Sequence, residues 1–373
     1  MEFKLIIKKL NKSLTQKEKI TFSEWYDESK LHKNYFDKVQ VNYQNNIHPI
    51  DAEKGWKAIE RAVEKSKQKN NYWKYAIAAS VVILISISFI FNKNDARITE
   101  PLIVNNTIEI GTDKATLTLE DGSNVILGKG KNYEAVNAKS NGQTLVYNTK
   151  NDSKPEIAYN YLTIPRGGQF FLQLSDGTKV WLNSESKIKY PKKFIEGKSR
   201  QVELVYGEAY FDVSPSTNHN GDTFKVNIQV QEIEVLGTEF NIKAYDDEDS
   251  IYTTLVEGKV AISNGITGEI LKPNQQSAIN TQNKDITMTI VDVYNETSWR
   301  NGVFSFNKKP LKEIMKTLSR WYDIDIVFIN KDFEDVQFNG VLNKKQNIEH
   351  ILLTIKAINN INYEINDNKI LIK

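Results

Sequence analysis

Few side chains in this sequence are of the types that carry out enzymatic chemistry. The 373 residues include no cysteine and only four histidines, and just His219 and His350 lie beyond the first fifty residues. A cysteine nucleophile and a thiolate metal site are therefore excluded, and the histidine spacing does not suit a metal site. The acidic run at 246–249 lacks the spaced ligands and the glycine of a calcium loop, so a solvated turn is the favoured interpretation. Ser175 and Asp176 lie in a turn and not on a nucleophile elbow. We predict no enzyme, no cofactor and no metal site.

One dipeptide could cut the backbone itself. Gly237 is followed directly by Thr238 at a junction between predicted strands. A hydroxyl in this position can attack the preceding carbonyl carbon in an N-to-O acyl shift if the backbone there is strained. A tight turn is the commoner use of such a glycine. Both interpretations remain open at this point.

An apolar run organises the rest of the chain. It extends from Trp73 to Phe91 and carries no charged residue between Tyr75 and Phe91. A membrane helix needs roughly 17 to 25 apolar residues, and a buried core helix rarely runs this long without a charge or an amide. We therefore predict one transmembrane helix at 73–91.

The distribution of charge predicts an orientation for this helix. Residues 1–74 carry 16 Lys and Arg against 10 Asp and Glu, whereas the remaining residues carry 33 against 37. Positively charged segments stay on the cytosolic side of a membrane. The expected location is the inner (cytoplasmic) membrane, in a single pass, with the N-terminus in the cytosol and the C-terminus in the periplasm.

Residues 1–72 read as a small all-α cytosolic domain. Thr15 and Glu18 form a capping box that predicts the start of a helix, and two further stretches repeat apolar residues every three to four positions. So short a domain has a marginal core and often completes it on a partner. Its lysines favour a topogenic and lipid-contacting role over direct nucleic-acid binding. Four large aromatic side chains could form either an internal core or a partner surface: Trp25, Tyr26, Phe36 and Trp56.

Beyond the apolar run, residues 92–300 predict an all-β periplasmic domain with its core at 160–264. Two similar segments, at 117–127 and 172–182, each place alternating apolar residues on both sides of an Asp-Gly pair. This pattern is a hairpin signal, and its recurrence indicates an internal repeat. Many more short strands follow at regular spacing, which favours a sandwich, a barrel or a solenoid-like stack.

Residues 301–373 predict a small α+β module. Apolar periodicity alternates between strand and helix in the order βαββαββ, with Pro310 and Asn347 at the two predicted helix starts. The expected fold class of the whole chain is thus multidomain: a small all-α domain, one transmembrane helix, an all-β domain and a C-terminal α+β module.

Several motifs, taken in order, resemble the FecR family of transmembrane anti-sigma regulators in the form common among Bacteroidetes. The resemblance begins at Thr163-Ile-Pro-Arg-Gly-Gly-Gln169 and continues at Gly207-Glu-Ala-Tyr-Phe-Asp-Val213. Further matching segments lie at 174–183, 189–191, 235–241, 255–260, 271–276, 299–306 and 320–323. The C-terminal module is similar to the short N-terminal module of secretins and TonB-dependent receptors. The cytosolic match, at 22–29 and 55–56, is looser.

This resemblance implies a function and partners. In the family, cytosolic helices bind an extracytoplasmic-function sigma factor, and the periplasmic part receives a signal from the signalling domain of a TonB-dependent or SusC-like outer-membrane transporter. The signal is expected to control transcription of iron or glycan uptake genes through cleavage by intramembrane and periplasmic proteases. Sigma binding is assigned to Trp25, Tyr26, Phe36 and Trp56, and some relatives resemble self-cleaving chains at a Gly-Thr pair such as Gly237 and Thr238.

A second function remains open at this point. The chain could be a membrane-anchored periplasmic module that binds glycan without regulating a sigma factor. Aromatic residues on predicted strands could serve as platforms for sugar rings or could equally belong to the core. The residues concerned are Trp181, Tyr190, Tyr206 and Tyr210.

Overall fold

The computed structural model describes residues 8–10, 12, 14–28, 33, 36–37, 108–148, 158–359 and 361–373. The chain divides into two compact units, at 1–97 and 98–373. We describe each unit by itself.

The first unit contains helix α1, Gln16–Glu28. Its start is the predicted capping box, because the Thr15 amide donates to the Glu18 carboxylate at 2.9 Å and the Glu18 amide donates back to the Thr15 hydroxyl at 3.4 Å. One turn and a half further along, Phe22 is buried against Phe36, with 5.2 Å between the ring centroids. The described part of this unit is therefore a short helix held by a small aromatic cluster.

The predicted fold class is wrong. The described residues are mostly β-strand with few helices, and no helix among them is long and apolar enough to cross a membrane. In the first unit the structure gives bounds for one 13-residue helix, with further helical residues at 8–10, 33 and 36–37, and this does not support the predicted all-α domain. An isolated helix of 13 residues is marginal in water. The predicted span from Trp73 to Phe91, like Trp56, lies outside the described residues. Hydropathy reports how readily a segment leaves water, and that preference alone does not establish a helix.

The second unit begins with eighteen strands between residues 112 and 290, which we call the β-domain (108–290). They are β1 Thr112–Thr118, β2 Asn124–Gly128, β3 Tyr133–Glu134, β4 Ala138–Ser140, β5 Thr144–Tyr147, β6 Tyr159–Ile164, β7 Gly168–Gln173, β8 Lys179–Leu182, β9 Ser186–Pro191, β10 Arg200–Asp212, β11 Phe224–Ile228, β12 Gln231–Val235, β13 Glu239–Ala244, β14 Ser250–Glu257, β15 Val260–Ser263, β16 Gly268–Leu271, β17 Gln275–Asn280 and β18 Ile286–Ile290.

The pairings arrange these strands in two rows that share β10. One row runs β2-β1-β6-β9-β10-β11-β12-β15-β16, and the other runs β3-β4-β5-β7-β8-β10-β13-β14-β17-β18. Both predicted hairpins are confirmed, since β1 pairs with β2 and β7 pairs with β8, each antiparallel. Apolar side chains that alternate along the strands of both rows fill one common core, including Leu117, Leu172 and Phe211.

Strand β10 passes from one row to the other at Gly207. Up to Tyr206 the strand pairs with β9, and from Gly207 onward it pairs with β13. Gly207 has φ +100°, and a β-carbon on it would lie 2.3 Å from the Ser186 hydroxyl oxygen. Only glycine fits this crossing, because any side chain would meet both a strained backbone and occupied space.

The C-terminal module (303–373) follows a short connection that contains α2, Val293–Thr297, and a 3₁₀ turn, Ser298–Asn301. Its elements are β19 Val303–Pro310, α3 Leu311–Tyr322, β20 Asp325–Phe328, β21 Gln337–Asn343, α4 Ile348–Asn359, β22 Tyr363–Asn366 and β23 Lys369–Ile372. The strands form two separate sheets, β19-β21 and β20-β23-β22. A second core joins the two helices to these sheets and includes Leu318, Trp321 and Ile351.

Candidate functional site at the domain junction

Charged side chains are concentrated where the β-domain meets the C-terminal module, and we call this contact the domain junction. Three cationic residues there make contacts with the other domain: Arg166 from the β-domain, and Arg320 and Lys344 from the module. Each is held by a different kind of contact. Two of the three, Arg320 and Lys344, are buried, and both bind residues of the β-domain.

Arg320, on the last turn of α3, binds the β-domain through three carboxylates. Its guanidinium lies 3.3 Å from Glu185 and 3.4 Å from Glu248, and it also pairs with Asp247. The guanidinium carbon lies 3.6 Å from the Tyr245 ring centroid. Arg320 is buried, and a planar cation that stacks on a ring while its edges bind carboxylates is a favoured arrangement for a buried arginine.

The acidic run at 246–249 thus has a structural role that the sequence did not reveal. Asp247 binds Arg320 and also lies 3.3 Å from Lys316, while Glu248 lies 2.8 Å from Lys243. Among the described residues no group of three His, Asp or Glu is placed to hold a metal ion. The loop therefore serves as a carboxylate docking point for helix α3, in place of the solvated turn that we expected.

Arg166 crosses the junction in the opposite direction. One of its terminal nitrogens donates to the Ser319 carbonyl at 3.0 Å and also to the Ile324 carbonyl at the C-terminal end of α3. The Ser319 carbonyl also accepts from the Asp323 and Ile324 amides, which close the end of the helix. The Arg166 cation therefore lies at the negative end of the helix dipole. Next to it the Gly167 amide donates to the Arg320 carbonyl at 2.7 Å. Two residues of the motif at 163–169, Arg166 and Gly167, thus bind the C-terminal end of α3.

Lys344 is buried at the centre of the junction. Its ammonium nitrogen lies 3.7 Å from the Trp321 ring centroid, 5.3 Å from that of Phe304 and 5.9 Å from that of Trp299. It donates one hydrogen bond, of 2.8 Å, to the side-chain oxygen of Gln169 in the β-domain. Burial lowers the pKa of Lys344 from its usual 10.5 to about 7, because a charged amine is costly to remove from water.

Glu208 lies beneath these cations and is held by uncharged donors. Its carboxylate accepts hydrogen bonds from the Asn183 amide at 2.8 Å and from the Asn241 amide at 3.0 Å. Asn241 in turn accepts from the Trp299 indole at 3.3 Å. Burial raises the pKa of Glu208 above its usual value. A chain of hydrogen bonds thus links the core of the β-domain to the connection that carries the module.

The residues proposed for self-cleavage lie elsewhere, in the β12–β13 turn. Gly237 has φ +142°, and a β-carbon on it would lie 2.9 Å from Pro215 Cα. Steric exclusion of a side chain therefore explains why a glycine is needed at this position. Thr238 is buried, and its hydroxyl donates to the Lys259 carbonyl at 2.9 Å and not to the carbonyl it would attack. Self-cleavage stays a prediction.

Two of the four aromatic residues considered as sugar platforms are buried inside the protein, and a third, Trp181, is half-buried. Tyr190 and Tyr210 are completely buried, and Trp181 packs against the second core with the Arg300 guanidinium 5.0 Å from its ring centroid. Tyr206 is half-buried beside the β10 crossing. These positions are those of core residues, so they give no support to glycan binding.

In the first unit, three of the four residues proposed for sigma binding lie together. The Tyr26 and Trp25 rings are each 5.8 Å from that of Phe22, and Tyr26 is 5.7 Å from Phe36. Phe36 is buried, whereas Trp25 and Tyr26 are half-buried. Trp56 lies outside the described residues. Their role in binding stays a prediction.

Sequence reasoning did not identify the residues of the junction as a site. Arg166, Gln169 and Glu208 lie in the motifs that carried the family resemblance, and Arg320 begins another, so those motifs were the available signal. Lys344 lies in no such motif. Its partners are between 23 and 175 positions away in the chain, and no local pattern indicates contacts of that range.

Two family matches cover much of the second unit. Residues 160–261 match the family described as FecR protein, and residues 303–372 match the one described as FecR, C-terminal. Two crystal structures of a candidate anti-sigma factor from Parabacteroides distasonis ATCC 8503, at 1.65 and 2.50 Å resolution, are similar to the chain. Each is 28% identical, covers 57% of this chain and 98% of its own, and superposes with a TM-score of 0.52. No curated protein matches the sequence.

Proposed function

We propose that this chain, which belongs to the FecR family by its two domain matches, regulates a sigma factor. The observation that carries the proposal is the likeness to an anti-sigma candidate across nearly the whole length of that protein, together with the FecR matches at 160–261 and 303–372. The partner is then a sigma factor, and the chain acts by binding it and not by catalysis.

The finer part of the proposal concerns the signal. The sigma factor is of the extracytoplasmic-function class, and the β-domain with the C-terminal module responds to the signalling domain of a TonB-dependent or SusC-like transporter. The response reaches the cytosol through proteases and changes transcription of iron or glycan uptake genes. The family resemblance of the motifs supports this sequence of events. Strands make up more than half of the described residues of the β-domain, and a cut within a strand would require that strand to unpair first.

The location in the inner membrane is a proposal that rests on sequence alone, on the apolar run at 73–91 and the positive charge before it. Fusion of alkaline phosphatase after residue 373 should give an active enzyme if the C-terminus is periplasmic. Fusion of the same enzyme before residue 1 of the full-length chain should give an inactive one. Activity of the second fusion and not the first would reverse the orientation.

The test of sigma regulation is direct binding. The full-length tagged chain is co-expressed with an extracytoplasmic-function sigma factor of the same organism, and the complex is measured by pull-down and calorimetry. We expect a stoichiometric complex that Trp25→Ala weakens at least tenfold, because loss of a large aromatic anchor typically costs more than about 1.4 kcal/mol of binding free energy.

The matched control for Trp25→Ala is Lys19→Ala, which removes an exposed side chain from the same helix. It should leave the affinity within about twofold. No complex, with a soluble and active sigma factor, would contradict the proposed function. Equal weakening by both variants would show that α1 does not bind through Trp25.

A further inference from the structure

Lys344 is held in a way that ties its protonation to the contact between the two domains. Its nitrogen lies within an aromatic enclosure formed by the module and the connection, and the one hydrogen bond it donates goes to Gln169, a neutral amide of the β-domain. Buried lysines are usually paired with a carboxylate. Here no carboxylate among the described residues accepts a hydrogen bond from the ammonium.

We infer that Lys344 is a proton-sensitive latch: the C-terminal module docks tightly on the β-domain when the Lys344 side chain is neutral and loosens when it is charged. Docking removes the amine from water. The neutral form keeps its hydrogen bond to Gln169 and its packing on Trp321 at a small desolvation cost. The charged form has a much larger desolvation cost, which the same hydrogen bond, the aromatic faces and the nearby acids do not offset.

The charges that face Lys344 set how strongly it responds. From β10, Glu208 favours the charged form, and from β1, Asp113 does the same more weakly. Gln169 on β7, Trp321 on α3, Phe304 on β19 and Trp299 in the connection contribute no formal charge. Two other cations, Arg320 on α3 and Lys243 on β13, line a cavity with Glu208 and Trp321, and both are paired with other carboxylates. Desolvation outweighs the two acids, which leaves the pKa of the docked amine near 7.

The direction of the effect follows from linkage. Undocked, the exposed amine has its ordinary pKa of 10.5; docked, its pKa is about 7. Between these values the undocked form binds more protons, so acidification favours undocking. From pH 8.5 to pH 6.5 the undocking equilibrium constant should rise about 25-fold, with most of the change above pH 7.

A backbone hydrogen bond across the junction reports this opening. The Gly167 amide donates to the Arg320 carbonyl, so its hydrogen exchange in the full-length chain requires the module to move away. After correction for intrinsic exchange, its protection factor should fall about 25-fold from pH 8.5 to pH 6.5. The Leu174 amide, which bonds to Thr178 inside the β7–β8 hairpin, is the internal control and should keep its protection.

Two variants separate charge from packing. Lys344→Met fills the enclosure without a charge, so its protection at Gly167 should be high and independent of pH. Lys344→Arg carries a permanent charge, so its protection should be low and equally independent of pH. Should Lys344→Met fail to fold, Lys344→Arg still decides the matter by its pH profile. A pH response in either variant like that of the unsubstituted chain, or none in the unsubstituted chain, would overturn the inference.

Discussion

Gly111 lies directly beneath the indole of Trp321, so closely that a β-carbon on Gly111 would come within 2.6 Å of the ring. The glycine precedes the first strand of the β-domain, and the indole donates to the Lys344 carbonyl inside the C-terminal module. The module therefore packs on the β-domain through a direct contact between the Gly111 backbone and the Trp321 ring, which leaves no room for a side chain at position 111.

The first prediction concerns this contact. Gly111→Ala should reduce the free energy of unfolding by about 1 to 3 kcal/mol, because the added methyl group must displace either the ring or the strand. Urea denaturation followed by tryptophan fluorescence measures it. Gly340→Ala is the control, since a β-carbon there meets nothing within 4 Å, and it should change stability by no more than about 0.5 kcal/mol. Equal effects of the two changes would contradict the close contact.

The second prediction concerns the crossing strand. Gly207→Ala should cost more than about 3 kcal/mol or abolish folding, because it combines a positive φ with a β-carbon 2.3 Å from Ser186. Gly197→Ala isolates the backbone part of this cost. Gly197 has φ +74° with open space around it, so alanine there should cost only about 1 to 2 kcal/mol. Soluble expression and thermal unfolding distinguish the two.

The third prediction concerns the guanidinium of Arg320. Arg320→Lys keeps the charge but loses both the fork that reaches three carboxylates and the stacking on Tyr245. It should destabilise the protein by about 1 to 3 kcal/mol, since a buried lysine cannot replace the hydrogen bonds and the ring stacking of the guanidinium, although Asp247 and Glu248 keep Lys316 and Lys243 as partners. The comparison is Lys139→Ala, which removes an exposed ion pair with Glu134 and should cost less than about 0.5 kcal/mol. Similar losses in denaturation experiments would rule out a special role for Arg320.

The fourth prediction is a pH dependence. Burial raises the pKa of Glu208 in the folded protein, so the folded state holds this proton to higher pH than the unfolded state. The stability tied to the protonated carboxyl is fully present below the unfolded pKa and is lost as pH rises through the folded pKa. Glu208→Gln cannot lose a proton. The variant should therefore gain stability relative to the unsubstituted chain as pH rises from 4.5, and then level off.

Urea titrations of both proteins between pH 4 and pH 8 measure this difference. A constant offset across the range would show that Glu208 titrates with the same pKa in both states. The Asn183→Ala variant provides a second check. It removes one of the two amides that bind the carboxylate, so it should raise the pKa of Glu208 further and move the loss of stability to higher pH.

Local patterns predicted much of the second unit. The Asp-Gly pairs at 121–122 and 176–177 fixed both hairpins, because a glycine with φ above +80° closes each turn. Pro310 and Asn347 marked the starts of α3 and α4, and the Asn347 side chain accepts from the Glu349 amide as a cap should. Turn glycines and helix caps depend on residues that are close in the chain, so they can be recognised in a single sequence.

Long-range features were not predicted, for a physical reason. The local pattern indicates two strands, at 202–205 and 208–213, whereas the structure has one strand, Arg200–Asp212, that changes partner at Gly207. Whether a glycine ends a strand or lets it cross depends on the neighbours, here β9 and β13, which local sequence does not specify. Lys344 was missed because hydropathy assigns lysine to the surface, and only a distant set of rings makes burial tolerable.

The crossing of β10 has a consequence for how the protein meets a protease. Since one continuous strand belongs to both rows, neither row can detach while the other stays intact, and the β-domain should open in an all-or-none manner. Frayed intermediates, which would let cuts accumulate slowly without any stimulus, are then scarce. We propose that the signal travels by proteolysis, and the shared strand then sets a threshold for it. Without a stimulus the β-domain stays closed and is rarely cut. A stimulus strong enough to open it exposes the whole domain to cleavage.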